Sequence, residues 1–546
     1  VDTRDLVDVL FVLATGSGLA HGDDQGATAL DSGSPADLGA GLLGSTGGGR
    51  GEEATAEVGS ALGLTMNVLD VDNCETAFVF HFIYYNKKMK NFTKLLLSIF
   101  YALRPVGSPV LTARTLYVFF SILQNSMSFF GNTSKTSTFP SHSIRFLRKT
   151  DALLTGFLEH AFTIVNQNLL GNRVAPSIFP ELFPIVHTSS YQTMKKLPGF
   201  VKAIGVLDAY YVACDNDGWK QMNNPVPLPS GSIIVDQVQN LEGKDQWLPI
   251  QYENGNVQKP LHPSAHLVHH VISDSDAQKI LDEYQSYFDS ITDSERDKEY
   301  RTVYEKSLTL TDKEKMVAEF WAGGPMTLKP PGFWNFFMYV MCVNKQLVYE
   351  EIVRNFFLLN ASLFETGLCV WTKKYQIVQE RPIQHIRRTI NETISNFYFD
   401  DITTSKLWLP YQERDFVTPP FPDFVSGHSS FSGAGSQIMI RLFGDDLLSY
   451  PLKIDGKHMV LLSPIFETKC DDVVDLTCIN IYPKCSNIVP GVTPTVMINL
   501  EYTSWTQMAL EAGVSRLYGG IHIPSSNYPG TQVGKLIANS VLKQFA

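Results

Sequence analysis

Residues 419–441 read PPFPDFVSGHSSFSGAGSQIMIR, and the interpretation of the chain works outward from them. A proline-rich, extended run meets a helix start at Ser426. A helix N-terminus exposes unpaired N–H donors and the positive end of the helix dipole, which suits an anion. Ser426 offers a hydroxyl, and Gly427 lets a ligand approach the backbone closely. His428 stands beside them as a proton donor or acceptor. Taken alone, an ordinary Ser N-cap with a surface His accounts for the same residues.

Two other segments carry complementary groups. Residues 371–382 read WTKKYQIVQERP, placing Lys374 seven residues before Arg381. On one continuous α-helix that is nearly two turns. Both side chains would then leave the same face about 10 Å apart along the axis, with Pro382 ending or kinking the helix. A solvated basic face explains this pair better when it is considered by itself. Residues 512–522 read AGVSRLYGGIH. A helix over Trp505–Leu517, broken by Gly519 and Gly520, would turn His522 back toward Arg516. A guanidinium offers paired donors to an oxyanion, and an imidazole offers a nucleophile or a metal ligand. A buried, hydrogen-bonded core histidine is the plainer account of His522 alone.

The 546 residues are 44% hydrophobic and 18% charged, an ordinary globular balance at a length that supports a large core. The net charge of -11 argues against nucleic acid as a partner, because phosphate backbones reward clustered Lys and Arg. No stretch reaches the roughly 18 apolar residues of a membrane span; Leu95–Leu103 and Leu116–Leu123 read as buried helices. Residues 1–60, rich in Gly, Ala, Ser, Asp and Glu, read as a disordered low-complexity segment.

Beyond it the pattern is mainly α. Helices are expected at Leu95–Leu103, Leu111–Phe130 and Asp151–Leu170. Further ones are expected from the Ser273 cap to about Phe288, from Thr311, over Gly332–Lys345 and over Val348–Val378. Strand character is confined to Ser232–Val238 and His458–Leu462. His262, His266, His269 and His270 form a cluster with zinc-like spacing, read here as solvated loop imidazoles. Asp215–Gly218 reads as a turn, since the closing Glu of a calcium loop would fall on Val226. Cys470, Cys478 and Cys485, with sequons at Asn91, Asn132, Asn360 and Asn391, lean toward a secreted protein, although Asn360 lies in a helical stretch unsuited to glycosylation.

In this order, Lys-x6-Arg-Pro, Ser-Gly-His and Ser-Arg-x5-His form a specific set. It resembles the vanadium-dependent haloperoxidases and the related acid phosphatases of the type 2 phosphatidic acid phosphatase superfamily. Residues 320–325 (FWAGGP), 330–335 (PPGFWN) and 107–114 (GSPVLTAR) look similar too. The resemblance implies two packed helical bundles, an N-terminal one over about 90–300 and a C-terminal one over about 305–546 that holds the active site. It implies vanadate as cofactor, with phosphate able to take its place. By similarity, His522 would be the metal ligand, and Lys374, Arg381, Arg516, Ser426 and Gly427 would bind the vanadate oxygens. His428 and Lys374 would be the catalytic pair, and Trp371 and Phe421 would line the halide side, tilting the preference toward chloride.

The implied partners are hydrogen peroxide, a halide and a small organic acceptor, with room for a homo-oligomer. Two positions depart from the family pattern: Val425 stands where Pro is usual. Ser526 stands where an Asp often orients the ligand histidine, so His522 is expected to be less basic. An acid phosphatase working through a phosphohistidine in the same pocket, and an inactive relative, are the competing readings.

Overall fold

The computed structural model describes residues 95–136, 158–174, 198–395, 402–448 and 476–546, with a few further positions between 156 and 196. The segment 1–60, the Asp151 cap, the strand expected at 458–462 and Cys470 lie outside the described residues.

The fold is mainly helical. A helix over 95–103 leads to α1 (Pro109–Thr136) and α2 (Pro198–Asp215). There follow α3 (Asp274–Asp289), α4 (Asp293–Ser307), α5 (Asp312–Phe320) and α6 (Lys329–Asn344). Next come α7 (Tyr349–Ile377), α8 (Pro382–Thr389), α9 (Gly427–Phe443), α10 (Trp505–Tyr518) and α11 (Pro524–Phe545). Local chemistry sets the starts. Ser273 caps α3, and Thr292 with Glu295 and Thr311 with Glu314 form reciprocal capping boxes at α4 and α5. Strands occur as short pairs: β1 (Ile233–Ile234) parallel to β2 (Ile250–Gln251), β3 (Thr393–Ser395) antiparallel to β4 (Ile402–Thr404), and β5 (Cys478–Ile481) antiparallel to β6 (Ile498–Glu501).

The long helix α7 is the hub, buried almost continuously from Ile352 to Lys374. It packs on α1, α6, α9 and α11. Phe120 stacks on Phe356 at 4.6 Å and Tyr117 on Phe364 at 5.4 Å. Asn360 is fully buried and exchanges side-chain amide hydrogen bonds with Asn335 of α6 at 2.7 and 2.8 Å, so this sequon faces the core. No helix among the described residues is long and apolar enough to cross a membrane.

The tightest helix pairing is between α9 and α11. A Cβ on Gly433 would lie 2.2 Å from the Thr531 carbonyl oxygen, and one on Gly534 would lie 2.2 Å from that of Ser430. Glycine at both places lets the two backbones meet.

Two expectations change. Lys374 and Arg381 do not share a helix. α7 ends at Ile377, Val378 closes it in the left-handed region (φ 56°), and Arg381 is the extended N-cap of α8. Pro382 explains this, because its ring bars the helical region to the residue before it. The four clustered histidines do not gather as one site. His266 and His269 are exposed, whereas His262 is buried, with its ring between Ser108 and Asn223, and His270 pairs with Glu365. His262 is therefore not a solvated imidazole. The turn at Asp215–Gly218 is present, and Asp217 pairs with Arg114 of α1 at 3.2 Å.

Candidate oxyanion site

The site grows from one stretch of chain without secondary structure. Residues 419–425 pair with no strand, which leaves the carbonyls of Phe421, Pro422 and Asp423 to side-chain donors. Lys374, fully buried on the last turns of α7, donates from Nζ to the carbonyls of Pro422 (2.9 Å) and Asp423 (2.7 Å). Arg381 donates from Nε to Phe421 O at 2.9 Å and from Nη1 to Ile521 O at 2.7 Å. The break at Val378 thus brings together, by a bend, two cations that a straight helix would have set two turns apart. Between them lies Phe421, its ring centroid 4.9 Å from Lys374 Nζ and 5.1 Å from Arg381 Cζ.

Arg516, on α10, is the third buried cation. Its Nη2 donates to Ala318 O at 2.9 Å and its Nη1 to Ala322 O at 3.3 Å. The break after α10 uses Gly520 in the left-handed region (φ 67°) and carries His522 back to the pocket. There His522 Nε2 lies 3.2 Å from Arg381 Nη1, and Nδ1 hydrogen-bonds to Asp423. Burial holds Arg516 down to about 9 and Arg381 down to about 10, and it holds Lys374 well below the usual lysine range. Asp423 is pushed up to about 6 by burial, against the pull of Arg381 and Lys374. Burial, then Arg381, Lys374 and Arg516, keep the His522 imidazole well below its ordinary value and hence neutral.

His428, on the first turn of α9, lines the same pocket as Arg516 and His522. Burial, then Arg516 and His522, keep its imidazole neutral as well. Gly323 (φ 58°) makes room for it, since a Cβ there would lie 2.9 Å from His428 Nε2. Gly427 faces Trp371 with space for no more than ordinary contact. Ser426 is fully buried, accepts a hydrogen bond from Ser429 N and shares a hydroxyl–hydroxyl contact of 3.1 Å with Ser429, whose Oγ also reaches Asn527 Oδ1. Trp371 and Phe421 pack edge to face at 4.8 Å and form an apolar wall with Pro419, Pro420 and Phe416.

An oxyanion fits these residues. Arg381 Nη2, His428 Nε2 and Trp371 Nε1 are buried polar atoms without a protein partner, and such atoms are costly to leave unmatched. The cations rest on main-chain carbonyls, and Asp423 is the carboxylate that acts on Lys374 and Arg381. Vanadate and phosphate both match that deficit of negative charge.

Asp423 lay inside the quoted motif but was not singled out. Its signal was available: an acid within an apolar, proline-rich run must be buried, and a buried carboxylate needs partners. It also corrects the expectation at Ser526. His522 does have a carboxylate on Nδ1, supplied by the loop before α9 instead of from position 526.

Residues 354–546 match the family model described as the VCPO second helical-bundle domain. Over 220 residues, 37% of the chain, the sequence is 22% identical to the vanadium chloroperoxidase of Curvularia inaequalis. That alignment spans 34% of the relative's length. Among solved structures, the chain superposes on a bacterial vanadium-dependent chloroperoxidase in its apo form with a TM-score of 0.56 and 17% identity, covering 81% of this chain and 95% of that one. The holo form gives 0.53 and 18%, covering 81% and 94%. A bacterial vanadium-dependent iodoperoxidase gives 0.52 and 14%, covering 84% and 97%. The molecule therefore has the helical fold of the vanadium haloperoxidases. Its similarity to named members of that group is distant.

Proposed function

We propose that the chain is a vanadate-dependent haloperoxidase, oxidising halide with hydrogen peroxide to hypohalous acid or an equivalent that halogenates small organic acceptors. One observation carries this: Arg516 and a neutral His522 line a pocket with one apolar wall, and the buried cations Arg381 and Lys374 contact His522 and Phe421 of that lining. Vanadate, when bound, supplies a Lewis acid that activates peroxide toward halide without a change in its own oxidation state.

Lys374, Arg381 and Arg516 neutralise the oxyanion charge from preset positions, so little reorganisation is needed as charge moves. The Gly427 amide and Ser426 hydroxyl add donors at the N-terminus of α9. His522 Nε2 is the ligand atom. His428, neutral and with Nε2 unpartnered, holds or gives up a proton beside the oxyanion. Lys374, held by the Pro422 and Asp423 carbonyls, would help hold the oxyanion and supply positive charge beside it. Trp371 and Phe421 strip water from the halide and favour chloride competence.

The same donors would support an acid phosphatase, with His522 Nε2 attacking phosphorus and His428 protonating the leaving group. The aromatic wall supports the peroxidase reading, because it gives a halide a dry approach. The test compares peroxide-dependent halogenation of a dimedone acceptor, with chloride and with bromide after incubation in orthovanadate, against aryl phosphate hydrolysis without vanadate. Halogenation that requires vanadate is expected. Hydrolysis alone would establish the phosphatase. Silence in both assays, with no thermal shift in orthovanadate, would leave an inactive relative.

A further inference from the structure

We propose that Asp423 is the positioning residue of the site: it fixes the proton of His522 on Nδ1 and so keeps Nε2 open toward the oxyanion. The inference rests on the reading of this pocket as an oxyanion site, which it deepens. It starts from donors and acceptors. A guanidinium can only donate. Arg381 Nη1 lies 3.2 Å from His522 Nε2, so that nitrogen must be the acceptor and carry the lone pair. The ring proton then belongs on Nδ1, where the Asp423 carboxylate receives it. The two contacts are made on opposite sides of one ring and demand the same tautomer.

The main chain that carries the carboxylate is fixed on both sides. Asp423 is fully buried and His522 nearly so. The Asp423 amide donates to Gln379 O at 3.0 Å, and its carbonyl receives Lys374 at 2.7 Å. One residue therefore anchors a cation with its main chain and aims the imidazole with its side chain. Ser526 stands four residues after His522, near the same carboxylate. Its hydroxyl forms no hydrogen bond there. An acid at position 526 would approach the imidazole from α11 instead. Asp423 and position 526 are thus two alternative sources of one carboxylate, and this chain uses the first.

The test uses the whole chain and four proteins: wild type, Asp423→Ala, Asp423→Asn, and Asp423→Ala combined with Ser526→Asp. Two properties are read. One is the dissociation constant for orthovanadate and for inorganic phosphate, by titration calorimetry. The other is the 15N spectrum of histidine-labelled protein, with the His522 signals assigned through His522→Gln. Far-UV circular dichroism checks folding. We expect Asp423→Ala to weaken oxyanion binding by about tenfold to a hundredfold and to lose the pure Nδ1–H signature. Asp423→Asn keeps an acceptor oxygen and the fold, so it should retain the tautomer and lose less affinity. Moving the acid to position 526 should restore most of both.

Affinity within twofold of wild type and an unchanged tautomer in Asp423→Ala would overturn the proposal. Should that variant not fold, an Asp423→Asn protein with a mixed tautomer would overturn it equally, because an amide oxygen should suffice. If wild type binds neither anion, the proposed function fails, while the 15N spectrum still decides the role of Asp423.

Discussion

At the level of single residues, the site depends on geometry more than on charge count. Arg381 shows this, since it spends its fork on Phe421 O, Ile521 O and Nε2 of His522 while leaving Nη2 unmatched. Lysine has one point charge and cannot span these partners. Arg381→Lys should weaken orthovanadate binding by roughly tenfold to a hundredfold, the loss of about one charge-assisted hydrogen bond or two, as measured by calorimetry; an unchanged constant would remove Arg381 from the site. His262 gives a prediction of a different kind. Burial lowers its value from 6.5 to about 3, so the unfolded chain binds the extra proton first as pH falls. Stability present at pH 7 is then lost between about 6.5 and 3, by roughly 3 kcal/mol at pH 4. His262→Gln should flatten that loss in urea titrations at the two pH values, and an equal loss in both proteins would show that His262 does not cause it. The motif residues were legible because their spacing is specific. Asp423 is marked only as an acid set in an apolar run, which does not name its partner, and His262 is not marked at all, because nothing local shows which loop histidine tertiary packing will bury.

At the level of elements, the sequence conveyed helices better than the breaks between them. The Ser273 cap, the Thr311–Asp312 start and helical periodicity announce α3, α5, α6 and α7, whereas α4 is not among the expected helices although Thr292 and Glu295 cap it. The expected end of α7 at Val378 is right to within a residue, but the reading that kept Lys374 and Arg381 on one helix fails, because the left-handed Val378 has no sequence signature, unlike the Pro382 that follows. Nor did the sequence show that Gly433 and Gly534 form a seam between α9 and α11. That seam matters for chemistry: Ser426 N donates to Ser526 O at 3.0 Å, tying the start of α9, with His428, to the start of α11, just after His522. Gly534→Ala should force the helices apart. It should cost about 1–3 kcal/mol or more and weaken oxyanion binding together with stability. Denaturation and calorimetry on the same variant check this, and a stable variant with lowered affinity would contradict it.

At the scale of the molecule, the pocket is lined from the α5–α6 connection, α7, α9, α10 and the loops at 419–421 and 521–522, with Arg381 at the start of α8 in contact with His522, so an oxyanion would join elements distant in the chain. Binding that favours the folded state adds about 2.7 kcal/mol at a hundredfold excess over the dissociation constant. Orthovanadate and phosphate should each raise the melting temperature by a few degrees, and Arg381→Lys should reduce the rise; scanning calorimetry reads both.

The three cations of this pocket rest largely on peptide oxygens, which every residue type supplies. Mutation can therefore rewrite the letters of the loops that carry those oxygens, provided the path of the chain survives. Under such an arrangement the trace of ancestry persists in the route of the backbone long after it has faded from the spelling.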